Sequence, residues 1–167
     1  MSYKSGFVAI IGRPNVGKST LLNKIMGEKI SIMSSKPQTT RNNIRAIYTE
    51  EDYQIIFTDT PGIHKPKTKL GEFMVSSASS TVGDADVCLF LIEASTRGDI
   101  PPGDEDILEQ LKSTSTPVIL VINKIDLIKR DALLGQITEY SKEMNFAAVI
   151  PISATKGDEC KQWLMRC

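Results

Sequence analysis

The stretch GRPNVGKS, residues 12–19, has the spacing Gly-x-x-x-x-Gly-Lys-Ser and lies between an apolar run and a helical pattern. Those residue types suit phosphate binding. Gly12 and Gly17 let the backbone curl, so that the loop, Arg13, Pro14, Asn15 and Val16 included, points its N–H groups inward at phosphate oxygens. Lys18 brings a cation to the β- and γ-phosphates, and the helix that starts there aims its positive end at them. The Ser19 hydroxyl is the expected Mg²⁺ ligand, because that ion prefers oxygen donors, and Thr20 completes the contact set. DTPG, residues 59–62, supplies Asp59, which can hold the ion through a water, then Thr60, Pro61 and Gly62, whose N–H can meet a γ-phosphate. Lys18 and Gly62 are thus placed at the reacting phosphate. NKID, residues 123–126, reads as a base pocket. Asp126 can accept from N1–H and the 2-amino group of guanine, donors that adenine lacks, so adenine would strand a buried carboxylate. The Lys124 stem can pack on the purine face and Asn123 can tie the pocket loops together. In ISAT, residues 152–155, Ser153 lines the pocket and the Ala154 N–H can donate to the guanine O6. Taken singly, the loop could be a glycine-rich helix start and DTPG a plain turn. Their order in one chain points to GTP and GDP.

Positioning these groups requires a regular scaffold. Apolar runs at 6–11, 87–93, 117–124 and 147–154 read as strands, and 46–60 as two strands joined at Glu50-Glu51-Asp52. Between them lie helical patterns: Leu21, Leu22, Ile25 and Met26 closed by Gly27; Leu70, Phe73, Met74 and Ala78; Ile107, Leu108 and Leu111; Leu133, Leu134, Ile137 and Tyr140. Strands apolar throughout and separated by amphipathic helices predict a three-layer α/β sandwich; with the phosphate loop and base motif it is expected to be of the P-loop NTPase (Ras-like) kind. Its sheet is expected to have six strands, mostly parallel, with one antiparallel strand at the edge. Every motif falls at the carboxyl end of a strand, where ligands of such sheets gather.

Length and charge narrow the class. The chain has 167 residues, enough for one domain, and its 20 basic residues balance 20 acidic ones. A protein whose main task is gripping nucleic acid would show a basic excess. No apolar run reaches bilayer length, and the first residues have no signal-peptide core. Cys88, Cys160 and Cys167 fit no metal spacing; Cys88 reads as a buried hydrophobe. In CKQWLMRC, Cys160, Trp163, Leu164 and Cys167 share one helical face. The basic cluster His64, Lys65, Lys67 and Lys69 reads first as a solvated face and second as an RNA contact, with His64 an exposed turn histidine.

GRPNVGKS, KPQTTRNNI, DTPGIHKP, NKID and SA occur in this order and resemble the GTPase domain of the Era family of bacterial ribosome-assembly GTPases. The specific stretches are ISIMSSKPQTTRNNIRAI and DTPGIHKPKTKLGEFM; GRPNVGKS is shared with sister families such as Der. The resemblance runs from about residue 4 to 157. It implies that Thr40, beside Thr39, closes on Mg²⁺ and the γ-phosphate as a third catalytic group, and that 30–43 and 62–82 are switches. It also implies the small ribosomal subunit and its rRNA as partners. Era proteins continue into an RNA-binding KH domain, and the expectation for 1–167 is a G domain without one, its last helix cut short. Weak rRNA binding is therefore expected. The expected location is the cytoplasm, with peripheral contact at the inner face of the cell membrane as the alternative.

The family resemblance bears on Ile63, the hydrocarbon that stands where Ras-like proteins have a water-orienting glutamine. Slow turnover is expected. In GTPases resembling this one, an asparagine at the place of Asn15 helps bind a potassium ion beside the phosphates; bracing the loop by an Asx-type bond is the alternative. Arg13 is either a loop contact or a solvated surface charge. Besides a slow GTPase, two other readings fit: a nucleotide-gated binding module with negligible turnover, and a fragment lacking a competent site.

Overall fold

Strand-forming residues that are apolar on both sides must be covered on both sides, and the sheet meets that requirement. The computed structural model describes residues 3–13, 16–26, 30–31, 44–59, 82–83 and 85–153. Strand β1 (Lys4–Ile11) leads through the phosphate loop into helix α1 (Lys18–Met26). After the two-residue strand β2 (Ile30–Ser31) come β3 (Ile44–Thr49) and β4 (Tyr53–Asp59). They form the expected hairpin, whose turn is closed by the Glu50 N–H donating to the Tyr53 carbonyl at 2.8 Å. Next are β5 (Val87–Glu93), helix α2 (Pro102–Lys112), β6 (Val118–Asn123), a 3-10 turn (Ile125–Leu127), helix α3 (Arg130–Glu143) and β7 (Ala148–Pro151).

The strand order is β2-β3-β4-β1-β5-β6-β7. The five strands β4, β1, β5, β6 and β7 are parallel, and β3 runs antiparallel to β4. The predicted mostly parallel sheet with one antiparallel strand is therefore present. Outside β3 the short β2 adds a seventh strand, pairing only Ile30 with Tyr48 and Ser31 with Ile47. Two residues carry too little periodicity to be read from sequence.

Alternate residues of the central strands enter two cores. Ile10, Leu89, Leu91, Ile119 and Val121 pack with Val16, Leu21 and Leu22 of the α1 side. Ile11, Phe90, Ile92, Leu120 and Ile122 face the other way, against Ile107, Leu108 and Leu111 of α2 and Tyr140 of α3. The period of two in each strand thus feeds both layers. Cys88 lies in the second core, where burial pushes its thiol up to about 12 and leaves it the inert hydrophobe expected.

Helix α3 departs from its sequence reading. Leu134, expected on the core face, is 51% exposed, whereas Gln136 is buried with Tyr140. Leu133 and Ile137 pack at the core margin. The helix around Leu70–Ala78, the run 154–167 and the side chains of Ile25 and Met26 lie outside the described residues.

Candidate functional site

Strand β1 sits where the chain order switches direction across the sheet, with β4 on one side and β5 on the other. A crevice outside the carboxyl ends of strands opens at such a point. Gly12 follows β1 directly and is buried. A methyl there would stand 2.5 Å from the Leu91 carbonyl oxygen of β5, so only glycine lets the loop leave the sheet this closely. Lys18, at the start of α1, donates from Nζ to the Gly12 carbonyl at 3.0 Å and so spans the loop. Gly17 has φ +103°, the left-handed side of the map, where a side chain is strained.

The base motif is joined to this loop. Asn123 ends β6, is 2% exposed, and donates from Nδ2 to the Val16 carbonyl at 2.9 Å. Its Oδ1 accepts from the Lys124 N–H at 2.8 Å. Gly17 lies so close that an added Cβ would be 2.2 Å from Asn123 Nδ2. The predicted tie between pocket loops is therefore a specific bond across 107 positions. Lys124 takes φ 63°, a conformation that costs a bulky residue on the order of 1–2 kcal/mol. The Asn123 acceptor and the bond from Ile125 N–H to the Ile152 carbonyl, at 3.3 Å, hold that turn. The turn starts the 3-10 segment bearing Asp126, whose Oδ1 accepts from Ser153 Oγ at 2.8 Å. Lys124 Nζ pairs with Glu93 Oε1 at 3.1 Å, which orients its stem.

The structure therefore gathers Gly12, Val16, Gly17, Lys18, Asn123, Lys124, Asp126 and Ser153 at one sheet edge. Asp59 ends β4 opposite Ile10 of β1, in register two residues before Gly12; Ser19 and the exposed Thr20 lie in the first turn of α1. The side chains of Ser19 and Asp59, and the whole of Pro14, Asn15, Thr40, Thr60, Pro61, Gly62, Ile63, His64, Lys65, Lys67, Lys69 and Ala154, lie outside the described residues.

Arg13 is not a freely solvated charge. Its Nε donates to Asp104 Oδ1 at 2.8 Å, and Asp104 is 1% exposed. Sequence reasoning missed Asp104 and Gln136. Gln136 donates to the Glu93 carbonyl at 2.9 Å and accepts from the Ser95 N–H at 3.2 Å, which braces the loop behind the base motif. The available signal was Gln136 and Tyr140 standing one helical turn apart on an otherwise apolar stripe.

Comparison with known proteins agrees with this geometry. The family described as 50S ribosome-binding GTPase matches residues 7–124. GTPase Era of Ruminiclostridium cellulolyticum is 62% identical over 160 residues, 95% of this chain and 52% of that protein. GTPase Era of Clostridioides difficile is 58% identical over 156 residues, 93% of this chain and 52% of its own. The chain thus spans about half the length of the curated relatives it matches. Among solved structures, an Aquifex aeolicus Era variant bound to GDP.AlF4⁻ superposes with a TM-score of 0.77 at 43% identity, covering 98% of this chain and 56% of that one. Era in complex with MgGDPNP and nucleotides 1506–1542 of 16S ribosomal RNA gives 0.78 at 43% identity, with the same coverage. By motif, fold and family match, the chain belongs to the family of 50S ribosome-binding GTPases, and the proteins it is similar to within that family include GTPase Era.

Proposed function

We propose that the chain binds guanine nucleotides and hydrolyses GTP slowly to GDP and phosphate, as a switch serving small-subunit assembly. The bond from Asn123 to the Val16 carbonyl carries this reading, because it makes the base motif and the phosphate loop one site. Asp126, steadied by Ser153, selects guanine, and Lys18, poised on the loop, receives the β- and γ-phosphates. The donor set for a metal is a hydroxyl and a carboxylate, Ser19 and Asp59, joined by Thr40. Such hard oxygen donors fit Mg²⁺, the ion named in the related Era complex with MgGDPNP. When bound, the ion would neutralise charge on the phosphates. The Gly62 N–H and Thr40 complete the contacts to the γ-phosphate. The rRNA partner is proposed from the related complex with 16S ribosomal RNA. No described helix is long and apolar enough to cross a membrane. A cytoplasmic location, with peripheral contact at the inner face of the cell membrane as the alternative, is proposed from the family resemblance alone.

Binding is tested by titrating fluorescent GDP and GTP with and without Mg²⁺. Affinity in the micromolar range or tighter, lost to unlabelled GDP but not to ADP, supports the site; equal competition by ADP overturns it.

The hydrocarbon of Ile63 can neither donate to nor accept from an attacking water, and Arg13 Nε is committed to Asp104. By resemblance to GTPases in which an asparagine at this place helps bind potassium, Asn15 is proposed to hold such an ion, which would offset charge between the β- and γ-phosphates; an amide oxygen suits a large, weakly hydrated cation. GTP hydrolysis should rise severalfold in potassium over sodium or lithium at equal ionic strength. Asn15→Ala should erase that rise while sparing GDP affinity. Identical rates in the three salts would assign the missing charge to a partner instead.

A further inference from the structure

Asp104 is buried in the first turn of α2, and both of its oxygens are engaged. Oδ1 accepts from Arg13 Nε at 2.8 Å; Oδ2 accepts from the Tyr140 hydroxyl of α3 at 2.6 Å. Tyr140 is 1% exposed, and burial, reinforced by Asp104, raises its hydroxyl far above the ordinary range, so it stays a donor. The Arg13 stem lies on Gly103, where an added Cβ would stand 2.5 Å from its Cδ. Two helices thus form a shaped seat for one side chain of the phosphate loop. A buried ion pair is weak evidence for stability, since desolvation offsets much of the attraction. It does fix position, because Asp104, 1% exposed, would be a buried charge without Arg13, whose own side chain is 30% exposed.

What it fixes follows from chain connectivity. The carbonyl of Gly12 and the N–H of Arg13 belong to one rigid peptide plane. That carbonyl is the acceptor for Lys18 Nζ. With Gly12 close against β5 and Arg13 seated on α2, the plane is held from both sides, and its carbonyl anchors the Lys18 ammonium. We propose that Asp104 is a positioning residue for the phosphate loop, acting through Arg13 and held in place by Tyr140. This rests on the guanine-nucleotide reading above and assigns a role to Asp104 and Tyr140, which lie outside every motif of that reading.

The test compares GDP affinity and nucleotide-free unfolding temperature for wild type, Asp104→Asn, Arg13→Ala and the double variant. Asp104→Asn and Arg13→Ala should each weaken GDP about tenfold, the scale of a hydrogen bond to a charged group. In the double variant the second change should add nothing, because both act on one plane. Wild-type GDP affinity in Asp104→Asn beside a lowered unfolding temperature would reduce the seat to a structural brace and overturn the proposal. Additive losses would overturn it too, by showing that Asp104 acts by another route. If Asp104→Asn fails to fold, Tyr140→Phe, which removes a single oxygen, takes its place. A loss of about threefold that vanishes in the Arg13→Ala background supports the proposal, and unchanged affinity overturns it. Failure of the wild type to bind GDP would overturn the nucleotide reading and this inference with it; failure of the inference alone leaves wild-type binding intact.

Discussion

Asp126→Asn is expected to weaken GDP and GTP binding by about 3 kcal/mol, the scale for losing one side of a charged hydrogen-bond pair, because Asp126, exposed at the sheet edge, would be covered by the bound base. Preference should pass to xanthine nucleotides. Ser153 Oγ already occupies Asp126 Oδ1, and an asparagine oxygen can accept that same bond, so the turn keeps its shape. The change then falls on the other position, where an acceptor becomes an NH₂ donor. Guanine presents donors there and repels it; the 2-carbonyl of xanthine welcomes it. Competition among GDP, XDP and ADP reads the outcome. A variant that still prefers GDP by the wild-type margin would remove Asp126 from the base pocket.

Gly17→Ala should be nearly as damaging, for a different reason. A side chain at φ +103° carries strain of about 1–3 kcal/mol. The new methyl would also stand 2.2 Å from Asn123 Nδ2, the atom that donates to the Val16 carbonyl. Either the loop moves or Asn123 withdraws, and withdrawal leaves a buried carbonyl unsatisfied, costing about 1–3 kcal/mol more. GDP affinity should therefore fall by roughly a hundredfold. Because the clash lies at the junction of the two motifs, the loss should also appear in discrimination between GDP and IDP, which share their phosphates. Fluorescence titration of both nucleotides checks this. Unchanged affinity would mean that the junction yields at little cost and that the two motifs do not depend on each other.

Much of the scaffold could be read from the sequence because its signals are local. Runs such as VCLFLIE and VILVIN are apolar on both faces, which requires cover on both sides and hence a sandwich. The turn at Glu50-Glu51-Asp52 announces its hairpin by composition, and glycine spacing announces the phosphate loop. What escaped depends on docking. Arg13 meets Asp104 across 91 positions, and nothing near either residue marks the other as a partner. Gln136 displaces Leu134 from the interior because the neighbouring surface offers the Glu93 carbonyl and Ser95 N–H, polar groups that a leucine would strand. A hydropathy pattern ranks leucine inward whatever it faces. The left-handed turn at Lys124 escaped for a related reason: Asn123 supports it, and Asn123 is fixed by the loop 107 positions earlier. The role of Thr40 rests on family resemblance and that of Gly62 on the DTPG motif; both residues lie outside the described ones.

The most direct measurement is a time course of phosphate release from GTP and from ATP, at equal concentration, with Mg²⁺ and potassium present. The account predicts turnover of GTP at roughly 10⁻⁴ to 10⁻² s⁻¹, the range of GTPases working without a helper. It predicts no release from ATP above the protein-free blank, and loss of the GTP signal in Asp126→Asn. Equal release from both nucleotides, or none from GTP, would contradict it.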